Sequence, residues 1–274
     1  MRIFKDPHLI TAPISTARHY AWAALTADWK KSGLILLLLI LLSFASAIPL
    51  LGLFASFFQA VFLYALAYWI VEALRESESV EALRQKVTLT DLKAMLTDHF
   101  APAAGYYAGI MVLSLLFMAF GALVLWATGG LEMFEESVIQ MQHGGQMTDQ
   151  QATVLYGQMV AAGSTTFVIV AVASLFVSYV WPLSYGFALT QKGFGDAFRA
   201  AFTLFSPRFW KATFNGAYFR HVSIWMLVML LAGFLLGVSM ALIVLLPVGL
   251  AILLWMVYFT AVAAAESYNF TETI

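Results

Sequence analysis

Glu72, His99 and His221 are the side chains whose types could do chemistry, a carboxylate and two imidazoles near predicted span ends on one side of a membrane. Together they would be a minimal kit for general acid–base catalysis. Around them the supporting motifs are missing. The five histidines, His8, His19, His99, His143 and His221, form no HExxH or other metal spacing. There is no G-x-S-x-G, no P-loop and no paired-carboxylate site inside a predicted span. An intramembrane serine protease would need a histidine at membrane depth, and none is predicted there. With no cysteine, disulfides, thiol nucleophiles and thiolate metal sites are excluded. No catalytic residue, metal ligand or cofactor is therefore expected. Glu72 is read as an acid solvated at the interface, with a functional acid as the alternative.

A transport path is the other chemistry open to a membrane chain. No Asp, Lys, Arg or His falls inside any predicted span, so the intramembrane charges that mark ion and proton pathways are missing. What remains is a neutral polar lining: Gln59 in the second span, and Ser164, Thr165, Thr166, Ser174 and Ser178 along the fourth. The competing reading gives Gln59 an interhelical hydrogen bond. It lets the hydroxyls bond carbonyls of their own helix.

The elements that position these residues follow from hydropathy. Hydrophobic residues make up 62% of the 274 and charged ones 11%, far from a soluble domain. Net charge −1 excludes a basic nucleic-acid binder. Residues 33–74 form an almost uncharged run of 42, about 63 Å as one helix, twice the ~30 Å hydrocarbon layer. It must cross, turn and cross back, and Ile48-Pro-Leu-Leu-Gly52 supplies the turn. Residues 222–265 repeat that logic, with a turn expected between Gly237 and Pro247. The expectation is one integral domain over 1–274: a cytoplasmic segment 1–32, hairpin 33–74, cytoplasmic loop 75–101 and third span 102–127 opened by Pro102. There follow an external acidic loop 128–158, a fourth span 159–189 kinked at Trp181-Pro182, a cytoplasmic segment 190–221 and hairpin 222–265. Ser43-Phe-Ala-Ser-Ala47 is read as first-span sequence rather than a leader's cleavage site.

All fourteen Lys and Arg lie in 1–32, 75–101 and 190–221, while the 128–158 loop carries Glu132, Glu135, Glu136 and Asp149. By the positive-inside rule both termini and both basic loops face the cytoplasm. Each basic segment is expected to hold an amphipathic interface helix: one from Ile14 with Trp22, Leu25 and Trp29 on one side, one marked by Leu89, Leu92, Leu96 and Phe100, and one by Phe194, Phe198, Phe202 and Phe205. A fourth short helix, with Leu131, Phe134, Val138 and Met141, is expected outside. Ala24-Leu-Thr-Ala-Asp-Trp29, Met95-Leu-Thr-Asp-His-Phe100 and Ala201-Phe-Thr-Leu-Phe205 suggest a threefold repeat of interface helix plus hairpin. Trp29, Trp69, Trp126, Trp210 and Trp225 are expected as interface anchors. Gly105-Tyr-Tyr-Ala-Gly109 and Gly233-Phe-Leu-Leu-Gly237 are helix-packing motifs, within the chain or between copies.

The short interface helices, the hairpins turning at a Pro-Leu-x-Gly-like corner and the phrase Asp196-Ala-Phe-Arg-Ala-Ala-Phe202 resemble a group of bacterial six-helix proteins. That group includes YciC-like inner-membrane proteins and the membrane domain attached to some glycerophosphodiester phosphodiesterases. The resemblance implies a bacterial inner-membrane bundle and carries no catalytic residues across. The expectation is thus an all-α polytopic bundle of six transmembrane helices. It would be a non-enzymatic accessory or scaffold protein that binds membrane lipids, a membrane-protein partner or itself, but no nucleic acid. The alternative is a carrier or channel for a neutral or lipidic substrate.

Overall fold

The computed structural model describes residues 13–49, 51–129, 149–241 and 245–271. The short external helix expected with Leu131, Phe134, Val138 and Met141, and also His143 and His8, lie outside the described residues. Within them the chain is helical, with no strand. The helices are α1 (Pro13–Ala27), α2 (Trp29–Ser46), α3 (Leu51–Glu76), α4 (Val80–Leu89) and α5 (Leu92–Ala127). After them come α6 (Asp149–Ala188), α7 (Phe194–Ala201), a 3-10 turn (Phe202–Phe205), α8 (Pro207–Thr213), α9 (Gly216–Ala241) and α10 (Leu246–Tyr268). Six helices among the described residues are long and apolar enough to cross a membrane: Trp29–Ser46, Leu51–Glu76, Leu92–Ala127, Gly163–Ala188, Gly216–Ser239 and Pro247–Thr271. The chain is an all-α, multi-pass membrane protein.

The breaks between helices have local causes. Asp28 separates α1 from α2: its backbone is extended and its carboxylate accepts from the amides of Lys30 and Lys31, at 3.0 and 3.2 Å. This N-cap starts α2 four residues before the expected span. Lys31 then reaches across and donates from Nζ to the Val87, Thr88 and Thr90 carbonyls at the end of α4, at 2.8, 2.5 and 2.6 Å. A cation there satisfies carbonyls that the helix itself leaves open. The α2–α3 corner falls where proline and glycine predict it. The Gly52 amide donates to the Ile48 carbonyl at 2.7 Å, and a Cβ on Gly52 would meet the Ser46 backbone.

Three expectations about the basic segments change. The stripe of Leu89, Leu92, Leu96 and Phe100 does not form one helix. Extended Thr90 splits it between α4 and α5. Pro102 does not open a span, because α5 begins ten residues earlier and runs through it. The proline there removes the amide that would bond the Asp98 carbonyl. The phenylalanine helix is shortened too: α7 ends at Ala201 and the chain tightens into the 3-10 turn, so the stripe is not continuous. Its buried face is Ala197, Ala200, Ala201 and Leu204, while Phe194 and Phe205 point outward. The order of short helix, long helix, long helix recurs three times. The three matched phrases nevertheless differ locally, as a helix break, a mid-helix stretch and a 3-10 turn.

The chain forms two compact units, Met1–Ile110 with Val180–Ile274, and Met111–Tyr179. In the first, α10 is central, packed by α1, α3 and α9. Its last turns, Ala261-Val-Ala-Ala-Ala265, are fully buried. Side chains this small let several helices approach closely where lipid supplies no hydrophobic drive between them. Around them Tyr20, Tyr218, Tyr258 and Phe259 are also fully buried. The second unit is an antiparallel-sequence pair of helix segments joined at one point by a hydrogen bond between the Thr128 and Thr166 hydroxyls, at 3.0 Å. Most of its large apolar side chains, among them Met111, Leu115, Phe167 and Leu175, are exposed.

Candidate functional site

Within the first unit, the end of α3, the start of α5 and the loop after α6 enclose a cavity of ≈190 Å³. Its polar lining includes Tyr68, Glu72, Arg75, Asp98, His99 and Lys192. Helical spacing makes the cluster. Tyr68, Glu72 and Arg75 lie at i, i+4 and i+7 on one face of α3, with Asp98 and His99 on α5 opposite. The 189–192 loop follows the end of α6 at Ala188 and adds Lys192.

His99 is held at both ring nitrogens. Nδ1 lies 2.9 Å from the Met95 carbonyl, which only accepts, so Nδ1 carries a proton and donates it. Nε2 lies 2.6 Å from Glu72 Oε2. A proton between those atoms joins the two side chains by a hydrogen bond. Arg75 donates from Nη2 to the Leu189 carbonyl at 3.5 Å, a long bond, while its buried Nε–H has no acceptor. The Tyr68 hydroxyl, on a side chain 3% exposed, is also buried without a partner. Buried donors of this kind cost free energy unless something satisfies them.

One helical turn deeper along α3 and α6 lies a second space, a cleft of ≈410 Å³ with a mostly apolar lining. Tyr64 precedes Tyr68 by four residues and Tyr185 precedes Leu189 by four, which sets a step of about 6 Å. Aromatic rings build one wall. Tyr64 meets Tyr106 edge-on at 5.3 Å, Tyr106 stacks on Tyr185 at 5.3 Å, and Tyr185 stacks on Trp181 at 4.9 Å. Tyr107, Met229, Leu253 and Thr260 complete the lining.

The predicted trio is therefore divided. Glu72 and His99 meet, but His221 is buried elsewhere and donates from Nε2 to the Ala263 carbonyl at 3.1 Å. Gln59 donates to the Ser43 hydroxyl at 3.0 Å and so joins α2 to α3. Thr165 and Ser174 donate to carbonyls one turn back, at 2.9 and 2.7 Å. Thr166 pairs with Thr128, and Ser164 and Ser178 are exposed.

Gly105 and Gly109 pack against α7 inside the first unit. A Cβ on Gly109 would lie 2.6 Å from Ala201 Cβ, and one on Gly105 would overlap the Phe194 backbone. Gly233 and Gly237 have nothing within 4 Å of their Cβ positions. Trp29 and Trp126 are exposed and Trp210 is half-buried, donating to the Leu204 carbonyl at 3.0 Å. Trp69 and Trp225 are buried among other rings, Trp69 beside Tyr258 and Trp225 on Trp181, and cannot anchor the chain to an interface.

One buried acid was not anticipated, because it falls just past the expected end of the last span. Glu266 is 2% exposed, and neither carboxyl oxygen has a partner. Replacing an unpartnered buried polar group with an apolar one of similar shape is neutral or stabilising. Glu266→Met is expected to raise stability by about 1–3 kcal/mol, read as a higher midpoint in denaturant titration of the micellar protein. A lower midpoint would mean that the carboxyl is bonded after all.

Among the described residues, no group of three His, Asp or Glu converges for a metal ion. Compared with family models, with curated proteins and with solved structures, the chain matches none.

Proposed function

We propose that this chain is a non-enzymatic accessory protein of a bacterial inner membrane that binds lipid, or a partner through lipid, with its basic segments and both termini on the cytoplasmic side. The observation that carries the reading is the open aromatic cleft among helices long enough to span the bilayer. Concave, mostly apolar spaces with a few convergent polar groups are the usual form of small-molecule sites. An open apolar cleft in a spanning bundle suits a hydrocarbon chain.

The acid–base pair gives an enzyme little support. Both nitrogens of His99 are engaged, so the imidazole has no free position for a substrate proton until Glu72 moves away. A carrier for a neutral solute also draws little support, since Gln59, Thr165, Thr166 and Ser174 spend hydrogen bonds on neighbouring helices and backbone. The test is native mass spectrometry of the protein released from mild detergent. Retained phospholipid in a defined ratio, or a co-purifying membrane protein, is expected. A bare monomer that takes up neither when lipid is added back would overturn the proposal.

A further inference from the structure

The polar cavity and the cleft lie one helical turn apart along α3 and α6, and their linings together suit one kind of guest. The cavity sets two cations, Arg75 and Lys192, beside the carboxyl groups of Asp98 and of Glu72, the latter taken up by His99. Two buried donors, the Tyr68 hydroxyl and Arg75 Nε–H, have no acceptor. Donors without acceptors beside a guanidinium and an ammonium call for an oxyanion. Guanidinium is the side chain best suited to a phosphate or carboxylate. The volume of ≈190 Å³ equals about six waters at ~30 Å³ each, room for a phosphate and a small alcohol. A guest held there lies one helical turn from the mostly apolar cleft walled by Tyr64 and Tyr185.

We infer that the site takes an anionic glycerophospholipid: Arg75, Lys192 and Tyr68 hold its phosphodiester while an acyl chain lies in the tyrosine cleft. The inference rests on the lipid-binding reading above and names the class of lipid. No covalent step is involved. The Asp98 carboxylate disfavours a more highly charged headgroup.

The experiment measures saturable binding to the purified full chain in a neutral detergent, with four probes. These are phosphatidylglycerol, its water-soluble headgroup glycerophosphoglycerol, inorganic phosphate, and dioleoylglycerol, which keeps the chains and lacks the phosphate. Phosphatidylglycerol is expected to bind at least tenfold tighter than any of the others. Arg75→Gln and Lys192→Gln should each weaken it about tenfold, the worth of a charged hydrogen bond, and Tyr68→Phe about threefold. Lys192 is exposed, so its variant keeps the test open if the Arg75 variant misfolds. Filling the cleft with Ala60→Trp should reduce phosphatidylglycerol to the affinity of the headgroup alone.

Equal binding of the headgroup or of inorganic phosphate would make this a soluble-anion site and overturn the inference. Equal binding of dioleoylglycerol, or unchanged affinity in the Arg75, Lys192 and Tyr68 variants, would overturn the headgroup assignment and leave the lipid-binding proposal standing. No saturable lipid binding by the wild-type chain would remove both.

Discussion

Alanine at position 105 is expected to destabilise the first unit by about 3 kcal/mol, at the upper end of ordinary overpacking. The added methyl has nowhere to go. It would fall on the Phe194 carbonyl and within 2.9 Å of the Phe194 Cα, and backbone cannot rotate away as a flexible side chain can. Phe194 opens α7, whose buried face of Ala197, Ala200 and Ala201 is itself cut to lie close on α5. To admit the methyl, all of α7 must lift, opening the contact at Gly109 as well. Gly233→Ala is the matched control. It sits in the same motif on another helix, with nothing within 4 Å. There only helix propensity changes, worth up to about 1 kcal/mol in favour of alanine. Denaturant titration of both variants in the same micelle would decide it. A Gly105 variant as stable as wild type would mean that α7 does not pack on α5. If the Gly233 variant fell instead, that motif would be a contact between copies of the chain.

The contrast between the two glycine motifs shows what could and could not be read from residues alone. Both obey the same spacing, and nothing in the letters tells which one faces a neighbour. The spans themselves were legible, because a bilayer demands ~20 apolar residues per crossing and glycine and proline mark the corners. Thus the turn at Pro49 and Gly52 fell where expected. Which face of each span turns inward was not legible. A helix apolar on every side offers no amphipathic contrast, so the buried Ala261–Ala265 run reads like the rest of its helix. On α7 the large Phe194 is exposed while the small Ala197, Ala200 and Ala201 pack, as close helix approach in lipid favours. The candidate site was half legible. Glu72 and His99 were named, since charges near span ends are few. Tyr68, Arg75 and Lys192 were not: the first two share a helix face with Glu72, but the cavity that singles them out is closed by the 189–192 loop, 114 positions on from Arg75 at Leu189. The tyrosines at 64 and 68, spaced one turn apart and the two phenolic hydroxyls of that span, were the available signal.

The tryptophans give the second large effect, because the belt reading treats five of them alike and the structure does not. Trp69 is 5% exposed and its ring lies 6.4 Å from that of Tyr258, on the helix that organises the first unit. Trp29 is 76% exposed, at the first turn of α2, with only the Lys30 ammonium over its ring at 5.8 Å. Truncating a buried tryptophan removes its contacts and leaves a cavity that rigid helices do not close, at about 3–5 kcal/mol. Trp69→Ala is therefore expected to lower stability by that amount, enough to unfold a protein whose total margin is about 5–15 kcal/mol when combined with any second lesion. Trp29→Ala should stay within about 0.5 kcal/mol, since an exposed ring in a micelle loses little and an exposed cation–π contact is weak. The pair separates the two readings in one measurement. Equal, small losses would restore Trp69 to the interface and dissolve the contact between α3 and α10, and with it the frame that holds Tyr68 and Arg75 in place. A large loss at Trp69 alone means that α3 is clamped along its inner face. The phosphate-binding donors are then presented by the most tightly held span of the unit.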